Sequence, residues 1–69
     1  MGTWLYENKT TGARIESNDF MFLIDTLVIN KDYNIKDDHL IALLQTGVLI
    51  TKLKNSDGAI HNVEIKRID

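Results

Sequence analysis

No cysteine, no proline and only four glycines occur in these 69 residues. Without thiols the chain has neither disulfide staples nor thiolate metal sites, which excludes the disulfide-framed mini-protein and the zinc ribbon together. No apolar run approaches the roughly 20 residues that span a bilayer. The opening Met1-Gly2-Thr3-Trp4-Leu5-Tyr6 has no basic segment leading into an apolar one, and it lacks the Ser or Thr that a myristoylation signal places at position 6. The expectation is a cytoplasmic protein with no membrane partner, in which the glycosylation-like triplet Asn8-Lys9-Thr10 is a chance match. No repeat, low-complexity tract or linker composition divides the chain.

What is present suffices for one domain over residues 1–69. An apolar fraction of 43% in so short a chain supports a single core, and a core of that size supplies only about 3 to 5 kcal/mol of net stability. The net charge of −2 is unevenly spread. Residues 17–47 hold Asp19, Asp25, Asp32, Asp37 and Asp38 against Lys31 and Lys36, whereas residues 48–69 set Lys52, Lys54, Lys66 and Arg67 against Asp57, Glu64 and Asp69. The middle is therefore acidic, and the slight basic excess after it is too weak to mark a nucleic-acid footprint by itself. Richness in Asn, Lys, Ile and Asp with little Ala or Arg suits an AT-rich genome, that of a phage or mobile element as readily as a bacterium.

The strongest local signal is a C-terminal hairpin. Val48-Leu49-Ile50-Thr51-Lys52-Leu53-Lys54 and Ala59-Ile60-His61-Asn62-Val63-Glu64-Ile65 flank Asn55-Ser56-Asp57-Gly58. A two-residue turn on Asp57-Gly58 would set Leu53 opposite Asn62 and Lys52 opposite Val63, mixing apolar and polar residues on each face. A three-residue loop with Gly58 left-handed instead pairs Leu53 with His61, Thr51 with Val63 and Leu49 with Ile65. Leu49, Leu53, Val63 and Ile65 then share one face, so this register is the expected one. The other face mixes Lys52, Lys54, Asn62, Glu64 and Lys66 with Val48, Ile50 and Ile60.

At the other end, Trp4-Leu5-Tyr6-Glu7 and Ala13-Arg14-Ile15-Glu16 alternate around Lys9-Thr10-Thr11-Gly12, a hairpin with a four-residue loop closed by glycine. Its register sets Tyr6 against Ile15 and Glu7 against Arg14, the second pair read as an ion pair. Ser17, Asn18 and Asp19 are N-cap residues for a helix over 20–29 whose stripe is Phe20, Leu23, Ile24, Leu27 and Val28. The β-branched Val28-Ile29 leaves a strand open as the alternative there. After a short connection, Asn30 to Asn34, a second helix starts near Lys36 or Asp37, with Ile35 stapled to Leu40 and two aspartates at its positive end. Gly47 is its left-handed stop. The fold class expected is α+β: hairpin, helix, helix, hairpin, as a four-stranded antiparallel sheet covered on one face by two helices.

Chemistry has little to work with. Asp37, Asp38, His39 and His61 are the only residues resembling a metal set, and adjacent carboxylates on a helix point in different directions. The aspartates are read as serving the helix start, and His39 as solvated. His61 falls near the turn end of its hairpin, half exposed, with one ring nitrogen bonded to a neighbour. Ser17 and Ser56 occupy a helix start and a turn, and no glycine-rich phosphate loop exists. A chain this small also lacks walls for an enzymatic pocket. No catalytic residue, cofactor or metal is therefore expected.

Helix, strand, glycine turn and strand in succession suggest a winged-helix-like nucleic-acid-binding domain using Lys52, Lys54 and Lys66 on the wing. Against that alternative, the would-be recognition helix opens Lys36-Asp37-Asp38, which repels phosphate. Surplus apolar surface points elsewhere. Phe22 and Ile29 lie off the core stripe of the first helix, beside Asp25 and Thr26, and Val48, Ile50 and Ile60 add to the excess on the second face of the C-terminal hairpin. The sequence therefore favours a non-catalytic protein-interaction module, a small regulator, inhibitor or adaptor, binding a protein partner or a second copy of itself. Phe22, Ile29, Asp25, Val48, Ile50 and Ile60 are its candidate contact residues.

Overall fold

Both hairpins form in the registers their side-chain alternation selects. The computed structural model, which describes residues 2–68, places β1 at Trp4–Asn8 and β2 at Arg14–Ser17, with Tyr6 opposite Ile15 and Glu7 opposite Arg14. The loop between them closes when the Asn8 N–H donates to the Ala13 carbonyl and the Gly12 N–H to the Asn8 carbonyl, both at 2.8 Å. The ion pairing differs from expectation. Glu7 is held by Lys9 at 3.5 Å, Lys9 also reaches Glu64 at 3.5 Å, and Arg14 pairs with Glu16 at 3.8 Å. The reason lies in the sheet: Glu7 has Glu64 opposite it on its other side, and the Lys9 ammonium sits between two like charges.

β3, Val48–Lys54, and β4, Ile60–Arg67, pair Leu53 with His61, Thr51 with Val63 and Leu49 with Ile65. The Asn55 N–H donates to the Ala59 carbonyl and the Gly58 N–H to the Asn55 carbonyl, each at 3.0 Å, with Gly58 at φ 87°. This is the three-residue loop. An added Cβ on Gly58 meets nothing within 4 Å, so Gly58→Ala isolates the left-handed penalty and should destabilise by about 1 to 2 kcal/mol. Chemical denaturation measures it, and a neutral result would contradict this turn geometry.

The strand order is β2-β1-β4-β3, so the first and last strands of the chain lie side by side at the centre. Trp4, Tyr6, Ile15, Leu49, Leu53, Val63 and Ile65 share the inner face, and the helices supply Leu23, Ile24, Leu27 and Leu43 to the same core. Among the described residues no second layer covers the outer face. Leu5 is nevertheless buried there, in a central strand, with Glu16 and Lys66 directly opposite it on either side.

The first helix is shorter than its apolar pattern suggests. Asp19 caps it, its carboxylate accepting from the Phe22 N–H at 3.1 Å, and α1 runs Phe20–Asp25. Phe20 packs at the core margin, its ring 4.7 Å from that of Trp4. From Thr26 to Asn30 the chain winds as a π-helix, closed by the Lys31 N–H donating to the Thr26 carbonyl at 3.3 Å. The wider turn keeps Leu27 buried but rotates Val28 off the core stripe, so the expected core position of Val28 is incorrect and it stands exposed. Neither Val28 nor Ile29 is in a strand.

The Leu27 carbonyl accepts from the Tyr33 N–H at 3.1 Å, and Asn34 donates to the Lys54 carbonyl at 3.1 Å. The segment read as a simple connection is therefore tied both to the π turn and to the end of β3. α2, Asp37–Thr46, starts as expected, with Asp37 and Asp38 in its first turn and Ile35 and Leu40 packed against the core. His39 is partly exposed, and its Nδ1 accepts the Lys36 N–H at 3.1 Å. Gly47 ends the helix at φ 76°. Among the described residues no helix is long and apolar enough to cross a membrane.

Candidate protein-binding surface

α1 and the π turn together present Phe22, Asp25, Thr26, Ile29 and Asn30 around a shallow depression of about 190 Å³. The spacing explains the grouping, since positions three, four and seven apart return to one side of a helix. Leu23, Ile24 and Leu27 face the sheet, leaving Phe22 59% and Ile29 71% exposed. The Thr26 hydroxyl donates to the Phe22 carbonyl at 2.8 Å, satisfying the backbone beneath the exposed ring. Asp25 is an exposed carboxylate at the rim. Three of the six expected contact residues thus meet at one place.

The other three lie across the molecule, on the outer sheet face. Val48 and Ile50 are next-but-one neighbours on β3, with Lys66 and Glu64 opposite them. Ile60 pairs with Lys54 at the far end of the hairpin, and the Lys52–Asn62 pair separates it from Ile50. Because the helices cover only the inner face, these residues form no patch with Phe22 and Ile29. The lysines are dispersed too. Lys52 and Lys54 neighbour each other on β3, whereas Lys66 lies on β4 beyond Glu64, an acid that interrupts any phosphate-binding strip.

α2 adds apolar surface the sequence reading left unplaced. Leu43 is fully buried and Leu40 partly so, while Ile41 and Leu44 stand 50% and 66% exposed. The doublets Leu40-Ile41 and Leu43-Leu44 carry the signal, since one stripe takes the first member of the second doublet and leaves its neighbour outside.

The polar centre of the molecule is also unannounced by the sequence. Tyr33 is buried, with its hydroxyl 2.9 Å from that of Tyr6 and 2.7 Å from His61 Nδ1. Asn8, the buried polar residue of the core, donates through Nδ2 to the Tyr33 hydroxyl at 2.9 Å and lies 3.1 Å from His61 Nδ1. Its Oδ1 accepts from the Thr10 and Thr11 N–H groups at 2.9 and 3.0 Å, which fixes the orientation of the amide. Burial first, and then the hydrogen bond with Tyr33, push the Tyr6 pKa above its ordinary value, so this phenol stays protonated. His61 matches its expected setting, partly buried with one ring nitrogen engaged.

The quartet joins three segments by hydrogen bonds: β1, the connection that carries Tyr33, and β4. A hollow of about 320 Å³ opens beside it, lined by Asp32, Tyr33, Asn34, Lys54, Asn55 and Ser56. Its walls are the tether and the end of β3, with one acid and one base. No group of three metal-ligating side chains comes together among the described residues. The chain matches no protein-family model, no curated protein and no solved structure.

Proposed function

We infer that this chain is a non-catalytic protein-binding module, a small regulator, inhibitor or adaptor, whose contact surface is the solvent side of α1 and the π turn. The observation that carries this reading is the exposure of Met21, Phe22, Val28, Ile29, Ile41 and Leu44 on the helical layer, where none of the described residues covers them. Phe22 and Ile29 flank a concavity that an apolar side chain of a partner can enter, and Asp25 at its rim offers a charge to orient the approach. Interfaces built this way rely on a few aromatic and aliphatic anchors ringed by polar groups.

Phe22→Glu tests the reading by separating folding from binding. The ring contributes mainly to a complex, so the variant should keep its circular dichroism spectrum and lose less than about 1 kcal/mol of stability, the ordinary effect at an exposed site. Immobilised wild-type protein should retain a partner from native lysate, identified by mass spectrometry, that the variant does not. Equal retention by the two proteins would remove Phe22 from the contact surface.

A further inference from the structure

The two edges of the sheet differ in what they offer. In β2, the Asn8–Ala13 hydrogen bond sets the parity of the ladder, so Ala13, Ile15 and Ser17 direct their backbone groups to β1. Arg14 and Glu16 therefore direct their N–H and C=O groups away from the sheet, with no partner among the described residues. Their side chains share the outer face and are 59% and 58% exposed.

At the β3 edge the even-numbered residues face outward, by the parity that the Asn55–Ala59 and Arg67–Gly47 hydrogen bonds set. There Val48 is occupied by the Thr46 hydroxyl on both its N–H and its C=O, and the Lys54 carbonyl by Asn34. The charges along that strand, Lys52 and Lys54, are of one sign, the usual protection of an edge. The β2 edge instead carries one charge of each sign.

We propose that a second copy of this chain pairs with β2 through its own β2, antiparallel about a twofold axis at Ile15, joining two four-stranded sheets into one of eight strands. In this register Arg14 of each copy stands opposite Glu16 of the other, and the outward backbone groups of both residues form two narrow hydrogen-bonded pairs. A shift of one ladder repeat either way sets Arg14 opposite Arg14 or Glu16 opposite Glu16, so charge selects a single register. Ile15 meets its symmetry mate on the inner face, where it already packs at the margin of the core.

The helical layer permits this approach. α1 packs on both β2 and β1, so it lies over the hairpin and not across the outward backbone of β2. The pairing is independent of the Phe22 surface, and a short edge predicts weak association.

Sedimentation velocity from about 10 µM to about 1 mM, the range suited to a small interface, tests the pairing. The wild type should show a monomer–dimer equilibrium. Arg14→Glu and Glu16→Arg should each weaken it about tenfold, because each turns two opposite-charge pairs into two like-charge pairs. An equimolar mixture of the two variants should restore association, and so should the double exchange within one chain. Glu16 stands opposite the apolar Leu5 rather than a charge, so Glu16→Arg decides the matter should Arg14→Glu loosen its own hairpin beside Glu7. Phe22→Glu should dimerise like the wild type. A wild type monomeric throughout the range, or variants that associate unchanged, would overturn the proposal. Loss of association in Phe22→Glu with both charge variants unaffected would also overturn it and assign self-association to the helical surface.

Discussion

Leu27→Ala should unfold most of the population at 25 °C. Leu27 is fully buried, and it is the residue of the π turn that still reaches the core. Truncating such a leucine costs about 2 to 5 kcal/mol, transfer and cavity together. A domain of this size holds about 3 to 5 kcal/mol in all, and at a fully buried position the cost falls in the upper part of its range, so the substitution removes most or all of that stability. The π turn carries Ile29 and borders Phe22, and the Leu27 carbonyl holds the Tyr33 N–H. Loss of Leu27 therefore also loosens the base of the proposed contact surface. Far-ultraviolet circular dichroism at 25 °C and a urea titration check the prediction. A variant retaining a full native baseline would show that the core repacks around the π turn.

Asn8→Ala should be the most destabilising change among the polar residues, at about 2 to 3 kcal/mol, the upper part of the range for leaving buried groups unsatisfied. The amide acts in two directions at once. Its oxygen accepts the Thr10 and Thr11 N–H groups and shapes the first hairpin loop, and its nitrogen donates to Tyr33 beside His61. Removing it strips one donor from the Tyr33 hydroxyl in a buried setting and releases two loop N–H groups, which water can reach. Tyr33→Phe provides the contrast. It leaves the loop intact and deletes only the hydroxyl shared by Tyr6, Asn8 and His61, so it should cost less than Asn8→Ala. Denaturant titrations of the two variants give the order, and a larger loss for Tyr33→Phe would place the weight of the quartet on the tyrosine pair instead of the loop.

Both predictions concern residues whose importance rests on contacts distant in the chain. Asn8 reads locally as the residue before a loop, and Tyr33 as the lone aromatic of a polar connection. Their hydrogen bond spans 25 positions, and that from Tyr33 to His61 spans 28. No periodicity or spacing encodes a meeting of that kind. The grouping of the candidate contact residues was legible only in part. Helical spacing brought Phe22, Asp25 and Ile29 together, because successive turns of a continuous helical segment share a side whatever the rest of the molecule does. Val48, Ile50 and Ile60 have the same apolar character, but which side of the molecule they occupy depends on which face of the sheet the helices cover.

Local chemistry alone settled the turns, the caps and the two hairpin registers. Gly58 and Gly12 supply the left-handed conformations their loops require, Asp19 caps a helix three residues ahead of the N–H it accepts, and a one-residue slip in either hairpin would turn apolar side chains to water. Tertiary packing alone decided that β1 lies against β4, that Lys9 rather than Arg14 answers Glu7, and that the first helix widens at Thr26 to hold Leu27 down and turn Val28 out. Sequence pattern acts over a few residues through backbone geometry and side-chain period. Strand order, cross-sheet charge and the winding of a helix end answer to neighbours that only the completed fold supplies.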